Sequence, residues 1–168
     1  FHHLDSNLKN YLCILSSDGR FKKVIFDLDM MKSTRTFSIA KLKNTAKIVD
    51  SFIYNKEQKL IILTSIGRLF KFDLSNKFLT PCTKQSQGLL LINLLPREKI
   101  VSCCKSKEKD VLHLVSKKGK FFKLKIDEIY DSYNSKLGYV NEKVQLKNDY
   151  FIKVFSCDQY IDIETNKN

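Results

Sequence analysis

Three glycines set in matching surroundings constrain this chain more than any other feature. Placing Gly19, Gly67 and Gly119 in register puts Leu15, Leu63 and Val115 four residues before them, and Ser16, Thr64 and Ser116 three before. One residue after the glycine stands Arg20, Arg68 or Lys120, four after it Lys23, Lys71 or Lys123, and five after it Val24, Phe72 or Leu124. A second series repeats as well. Leu42, Leu94 and Leu146 lie 52 residues apart, each preceded at two positions by Ala40, Ile92 or Val144 and followed at six by Ile48, Ile100 or Ile152. A period of this size belongs to solenoids, propellers and arrays, whose units bury their apolar faces against one another.

Each unit opens with an aliphatic run (11–15, 60–63, 111–115) of the length and character of a buried strand, and a polar pair plus glycine then turns the chain. The segment beyond the turn alternates. Lys22, Val24 and Phe26 oppose Phe21, Lys23 and Ile25; Phe70, Phe72 and Leu74 oppose Leu69, Lys71 and Asp73; Phe122, Leu124 and Ile126 oppose Phe121, Lys123 and Lys125. Period two predicts a strand with one face in the core, and it places Lys23, Lys71 and Lys123 on the outer face. Polar connections follow at 27–37, 75–87 and 127–138, with a short helical turn within 126–133 as the alternative there. A second hairpin is then expected in each repeat: 38–43 with 47–53, 88–95 with 99–103, and 140–147 with 150–155, turning at Asn44-Thr45-Ala46, Pro96-Arg97-Glu98 and Asn148-Asp149. Four strands per repeat of this length is the arithmetic of a propeller-like blade. The repeats run about 10–58, 59–109 and 110–157 within a single domain spanning 1–168, and 159–164 reads as one more strand.

At 168 residues, 43% of them hydrophobic and 29% charged, the chain is long enough to bury a substantial core. The longest apolar stretch, 89–95, is interrupted by Asn93 and is far shorter than a membrane span of ~18 residues. The chain starts at Phe1 without the basic-then-apolar layout of a signal peptide and reads as a fragment of a longer protein. Five cysteines, at 13, 82, 103, 104 and 157, form no Cys-x-x-Cys pair, so they read as small apolar residues of a reducing compartment. The net charge of +12 and a pI near 9.5 favour a polyanionic partner. Eleven Asn and 15 Ile are also what an AT-rich genome imposes, so the placement of the 26 Lys and 4 Arg has to decide what they do.

The stretch Leu60 through Thr64, Gly67, Arg68 and Lys71 to Phe72, the apolar run from Gly88 to Leu95, and Glu98 to Val101 resemble the blade pattern of one family. That family is the C-terminal domain of the A subunit of bacterial type IIA topoisomerases, DNA gyrase and topoisomerase IV. The resemblance covers nearly the whole chain. It implies an all-β fold, a β-pinwheel of about three four-stranded blades in which neighbouring blades exchange strands and DNA wraps a basic rim. Two departures matter. The Gln-Arg-Arg-Gly-Gly-Lys-Gly box of gyrase is missing, since 32–43 holds no glycine, which leans toward a topoisomerase IV-like or divergent subunit. Gyrase domains also have six blades, against about three here.

Repetition around a disc would set Lys23, Lys71 and Lys123, with Arg20, Arg68 and Lys120, along an evenly spaced basic track, extended by the loop residues Arg35, Lys84, Arg97 and Lys136. Such contacts hold a phosphate backbone without reading sequence and make affinity strongly salt-dependent. The expected role is duplex DNA binding and wrapping, which presents a segment for strand passage to the rest of the A subunit and to the ATPase B subunit. The domain itself is expected to do no catalysis and to hold no cofactor or metal, ATP and Mg being used elsewhere in the enzyme. The expected location is the bacterial cytoplasm, at the nucleoid, or a plastid. His2 and His3 read as terminal residues rather than ligands, and His113 as structural. A protein-interaction propeller, with its partner on a face or on loops such as 78–87, is the competing reading; a stand-alone enzyme has no residue constellation behind it.

Overall fold

The computed structural model describes residues 10–134, 137–141 and 146–157. The expected strand at 159–164 lies outside the described residues, as do Lys136, Val144, His2 and His3. Among the described residues there are eleven strands: β1 (Asn10–Ser16), β2 (Arg20–Phe26), β3 (Ile48–Ile53), β4 (Lys59–Thr64), β5 (Leu69–Asp73), β6 (Pro81–Cys82), β7 (Leu89–Leu90), β8 (Ile100–Ser106), β9 (Val111–Ser116), β10 (Phe121–Lys125) and β11 (Phe151–Cys157). Helical structure among the described residues is confined to α1 (Leu28–Lys32) and two 3-10 turns, Ile126–Glu128 and Ser132–Asn134. Asp27 caps α1 by accepting the Met30 N–H at 2.8 Å. No described helix is long and apolar enough to cross a membrane.

The fold is all-β, and among the described residues its strands form three open sheets. Two compact units hold them. The first comprises, of the described residues, 10–55 and 77–93; the second comprises 56–76 and the described part of 94–168. In the first unit the sheet runs β3-β1-β2-β6, and β7 also pairs with β2. In the second unit one sheet runs β5-β4-β8 and the other β10-β9-β11. Each sheet therefore has the aliphatic opening strand of its repeat at the centre, flanked by the strand after the glycine turn and by the last strand of the repeat. This placement follows from composition. Leu60, Ile61, Ile62 and Leu63 of β4 are fully buried, and a strand apolar on both faces needs neighbours on both edges.

The predicted second hairpins do not form as hairpins in the first two repeats, and 142–145 of the third lie outside the described residues. Residues 38–43 carry no strand, 88–95 shrinks to β7, and 140 begins no strand. The segments 81–82 and 89–90 leave the sheet of their own repeat and pair with β2 of the repeat before it, while Tyr139 bridges Leu69 of β5. The edge of the preceding sheet offers unpaired backbone groups, and donation satisfies them. Gly88 permits the approach: its φ is +84°, and a Cβ there would lie 2.6 Å from the Phe21 carbonyl oxygen.

In the second unit, Ile61, Leu63 and Leu69 pack with Leu112, Leu114, Leu124 and Val154 in one core. The 3-10 turns close over it through the fully buried Ile126 and Ile129. In the first unit, Cys13, Ile14, Leu15, Phe21 and Val24 are buried. None of the five cysteines is in a disulfide. Burial pushes the Cys104 thiol up to about 12. His113 is buried and stacks between the rings of Phe121 and Phe155, at centroid distances of 5.2 and 5.1 Å.

Candidate nucleic-acid interface

Each repeat brings two turns together at one corner. The glycine turn closes with the glycine N–H donating to the residue three before it: Gly19 to Ser16 at 3.1 Å, Gly67 to Thr64 at 3.0 Å, Gly119 to Ser116 at 3.1 Å. The second turn contains a residue of positive φ, Asn44 (50°), Arg97 (68°) or Asn148 (55°). The two turns are then tied to each other. The Ser17 N–H donates to the Lys47 carbonyl at 2.7 Å and Ser65 to Lys99 at 2.8 Å, while Lys117 donates to Tyr150 at 2.8 Å. Side chains reinforce this, because the Lys47 and Lys99 N–H groups donate to Ser17 Oγ and Ser65 Oγ at 2.9 and 3.0 Å. In the third repeat Asp149 accepts the Lys118 N–H at 3.1 Å.

The corners are cationic. Lys43 and Lys47 are exposed at the first, Arg97 and Lys99 at the second, and Lys117, Lys118, Lys120 and Lys147 at the third. Apart from Arg97 and Lys120, sequence reasoning passed over them. Lys47 and Lys99 are 52 residues apart, so the leucine period already contained the signal. Arg20 joins the first corner half-buried, its Nε 3.5 Å from an Asp18 carboxylate oxygen and its Nη1 3.4 Å from the Gly88 carbonyl. Hydrogen bonding to Tyr150 raises the pKa of Lys117.

The expected track is dispersed by burial. Lys71 is 7% exposed and Arg68 is 6% exposed, so neither lies on an open face. The 3-10 segment covers β5: the Lys71 N–H donates to Ser132 Oγ at 2.9 Å, and its ammonium reaches the Ile126 carbonyl at 3.4 Å. Arg68 is held by Glu98 and by the Leu137 carbonyl at 3.1 Å. Both residues are therefore corrected to internal roles. Lys23 is half-buried, its ammonium 4.9 Å from the ring centre of Tyr11 and 4.4 Å from that of Tyr54. Lys84 is also half-buried, with Nζ 4.7 Å from the Phe37 ring centre. Arg35, Lys120 and Lys123 are exposed.

Lys22, the neighbour of Lys23, is buried, and its ammonium donates to the carbonyls of Lys84 and Ser86 at 2.8 and 2.9 Å. Desolvation lowers its pKa. It pins the segment leading into β7 and does not face solvent. Among the described residues no group of three or more His, Cys, Asp or Glu is placed to hold a metal ion.

Three sheets, each built on an antiparallel trio of strands, two of them receiving backbone from the following repeat and each with a cationic corner, define a β-pinwheel. The same fold is found in two solved domains. The C-terminal domain of DNA topoisomerase IV aligns at TM-score 0.76 and 20% identity, over 92% of this chain and 48% of that one. The E. coli ParC C-terminal domain aligns at TM-score 0.67 and 15% identity, over 92% of this chain and 64% of that one. The chain thus spans about half of the first structure and under two thirds of the second. No family model and no curated protein matches the sequence.

Proposed function

We propose that this chain is a duplex-DNA-holding part of the C-terminal domain of a type IIA topoisomerase A subunit. The observation that carries the reading is the recurrence of exposed cations at the corner of every repeat, on the fold shared with the topoisomerase IV domain. Turn tips reach a phosphate backbone without entering a groove, so contacts of this kind position DNA and leave its sequence unread. Bending the duplex against the corners would make affinity depend on deformability within each unit. In the intact enzyme the domain would raise the local concentration of the segment to be passed through the cleaved gate. Cleavage and ATP hydrolysis would belong to other parts of the A subunit and to the B subunit, in the cytoplasm at the nucleoid.

The test is binding of the chain to duplexes of increasing length across a salt series. Affinity that rises with length, is indifferent to sequence and falls steeply with salt is the expected result. Weak binding at every length would overturn the DNA reading and favour a protein partner.

A further inference from the structure

At every corner one carbonyl of the second turn, that of Lys47, Lys99 or Tyr150, accepts an N–H from the glycine turn. The residue just before it is acidic at two of the three corners. At the second it is Glu98, whose carboxylate gathers the Thr64 hydroxyl at 2.7 Å, the Leu95 N–H at 2.9 Å and the Arg68 guanidinium. At the third it is Asp149, which accepts the Lys118 N–H at 3.1 Å. At the first corner the same position holds Ala46.

The donors that surround Glu98 have counterparts around Ala46. Arg20 stands for Arg68 and Ser16 for Thr64, at the same spacing from their glycines. Lys43 stands for Leu95, because the Ala46 N–H donates to the Lys43 carbonyl at 3.0 Å as the Glu98 N–H does to that of Leu95. The carboxylate is what the first corner lacks. Asp18 replaces it in part: it accepts the Ser16 hydroxyl and lies 3.5 Å from Arg20 Nε, against 2.7 Å between Arg68 Nε and Glu98. Among the described residues nothing accepts the Lys43 N–H, whose counterpart at Leu95 is bound by Glu98. A cleft of about 420 Å³ opens there, lined by Arg20, Lys43, Asn44, Thr45, Ala46 and Asp18 among others, so that two cations stand against one acid.

We propose that this cleft binds a phosphate group in the position of the missing carboxylate, held by the Arg20 guanidinium, the Lys43 ammonium and the Lys43 N–H. A guanidinium pairs two-pronged with phosphate as it does with a carboxylate, so a corner whose counterpart is built around Glu98 suits either. Phosphate fits better here. Two of its oxygens serve Arg20 and the others remain for the Lys43 ammonium and N–H. The same group comes from a duplex backbone or from solution, and the site itself does not rest on the DNA reading. Where that reading holds, the duplex gains one seated phosphate besides its contacts with exposed side chains.

The probe is inorganic phosphate, titrated into the ¹⁵N-labelled 168-residue chain at neutral pH with chloride holding the ionic strength constant. Saturable shifts at the Lys43, Asn44 and Ala46 amides and at the Arg20 side-chain N–H are expected, together with a melting temperature that rises with phosphate. Ala46→Glu restores the internal carboxylate. It should weaken phosphate binding about tenfold or more and raise the melting temperature in chloride, which a merely repulsive charge would not do. Should that variant unfold, Arg20→Gln should weaken phosphate binding to the same degree. No saturable shift by tens of millimolar phosphate, shifts shared evenly by the lysines of all three corners, or undiminished binding in Ala46→Glu would overturn the proposal. Duplex that displaces the phosphate assigns the site to a nucleic-acid backbone, and duplex that binds with phosphate still in place assigns it to a free phosphate. A chain that takes up phosphate but no duplex keeps the site and loses the DNA reading.

Discussion

The Arg68 guanidinium and the Glu98 carboxylate form a two-pronged ion pair inside the second unit, with Nε 2.7 Å from Oε2 and Nη2 against Oε1. The Glu98 side chain has no exposed surface and that of Arg68 is 7% exposed. Thr64 Oγ1 donates to the same carboxylate at 2.7 Å, and the Leu95 N–H donates at 2.9 Å. One acidic side chain thus joins the glycine turn of the second repeat to its second turn. Glu98→Gln leaves the guanidinium without its counter-charge and should destabilise the chain by about 3–5 kcal/mol, read from urea unfolding. A loss below about 1 kcal/mol would mean the pair behaves as an exposed one.

Acid should release the same contact. Desolvation acts to raise the pKa of Glu98, but hydrogen bonds from Arg68, Leu95 and Thr64 outweigh it and hold the carboxyl below its ordinary value. A folded-state pKa below the unfolded one contributes stability that is present above the unfolded value of about 4.3 and is lost as pH falls through the folded value. Asp73 is lowered in the same way: hydrogen bonds from Ser75 and the charge of Lys59 outweigh its desolvation. The melting temperature should hold from pH 7 to about 5 and drop below about 4, with a shallower drop in Glu98→Gln.

The corner cations and the buried cations should separate cleanly. Replacing Lys43, Lys47 and Lys99 by Ala should lower the salt slope of duplex binding by up to about 0.9 per lost contact and leave stability within about 0.5 kcal/mol. Lys71→Ala should leave the slope unchanged and lower stability, because Lys71 is buried beneath the 3-10 segment. Anisotropy titrations and unfolding curves on the two variants decide the matter. A slope that responds to Lys71 and not to the corner would return the interface to the strand face.

Strand donation in the first unit depends on Gly88. At φ +84° and 2.6 Å from the Phe21 carbonyl oxygen, a Cβ meets both backbone strain and a rigid neighbour. Gly88→Ala should cost more than about 1 kcal/mol and speed amide exchange at Leu91, whose N–H is bound to Gly19. Unchanged exchange there would show that β7 docks without the glycine.

The sequence by itself determined the hairpins and their turns. β1 with β2, β4 with β5 and β9 with β10 all follow from an aliphatic run, a polar pair, a glycine and an alternating strand, because turn chemistry and period-two patterning act within about a dozen residues. It also located the second turns, where Asn44, Arg97 and Asn148 adopt positive φ. Tertiary structure alone decided where the remaining strands went. The apolar run after Gly88 reads equally well as a partner for β8, but the open edge of β2 offers it backbone groups to satisfy, and that competition between edges leaves no local mark. Burial of Lys71 and Arg68 was hidden for the same reason. Alternation reports the two faces of a strand but not the segment 126–134 that folds over one of them. The cationic corners arise only when two turns far apart in the chain are tied together, as Ser17 is to Lys47, and hydrogen bonds across such distances are set by the packed sheets.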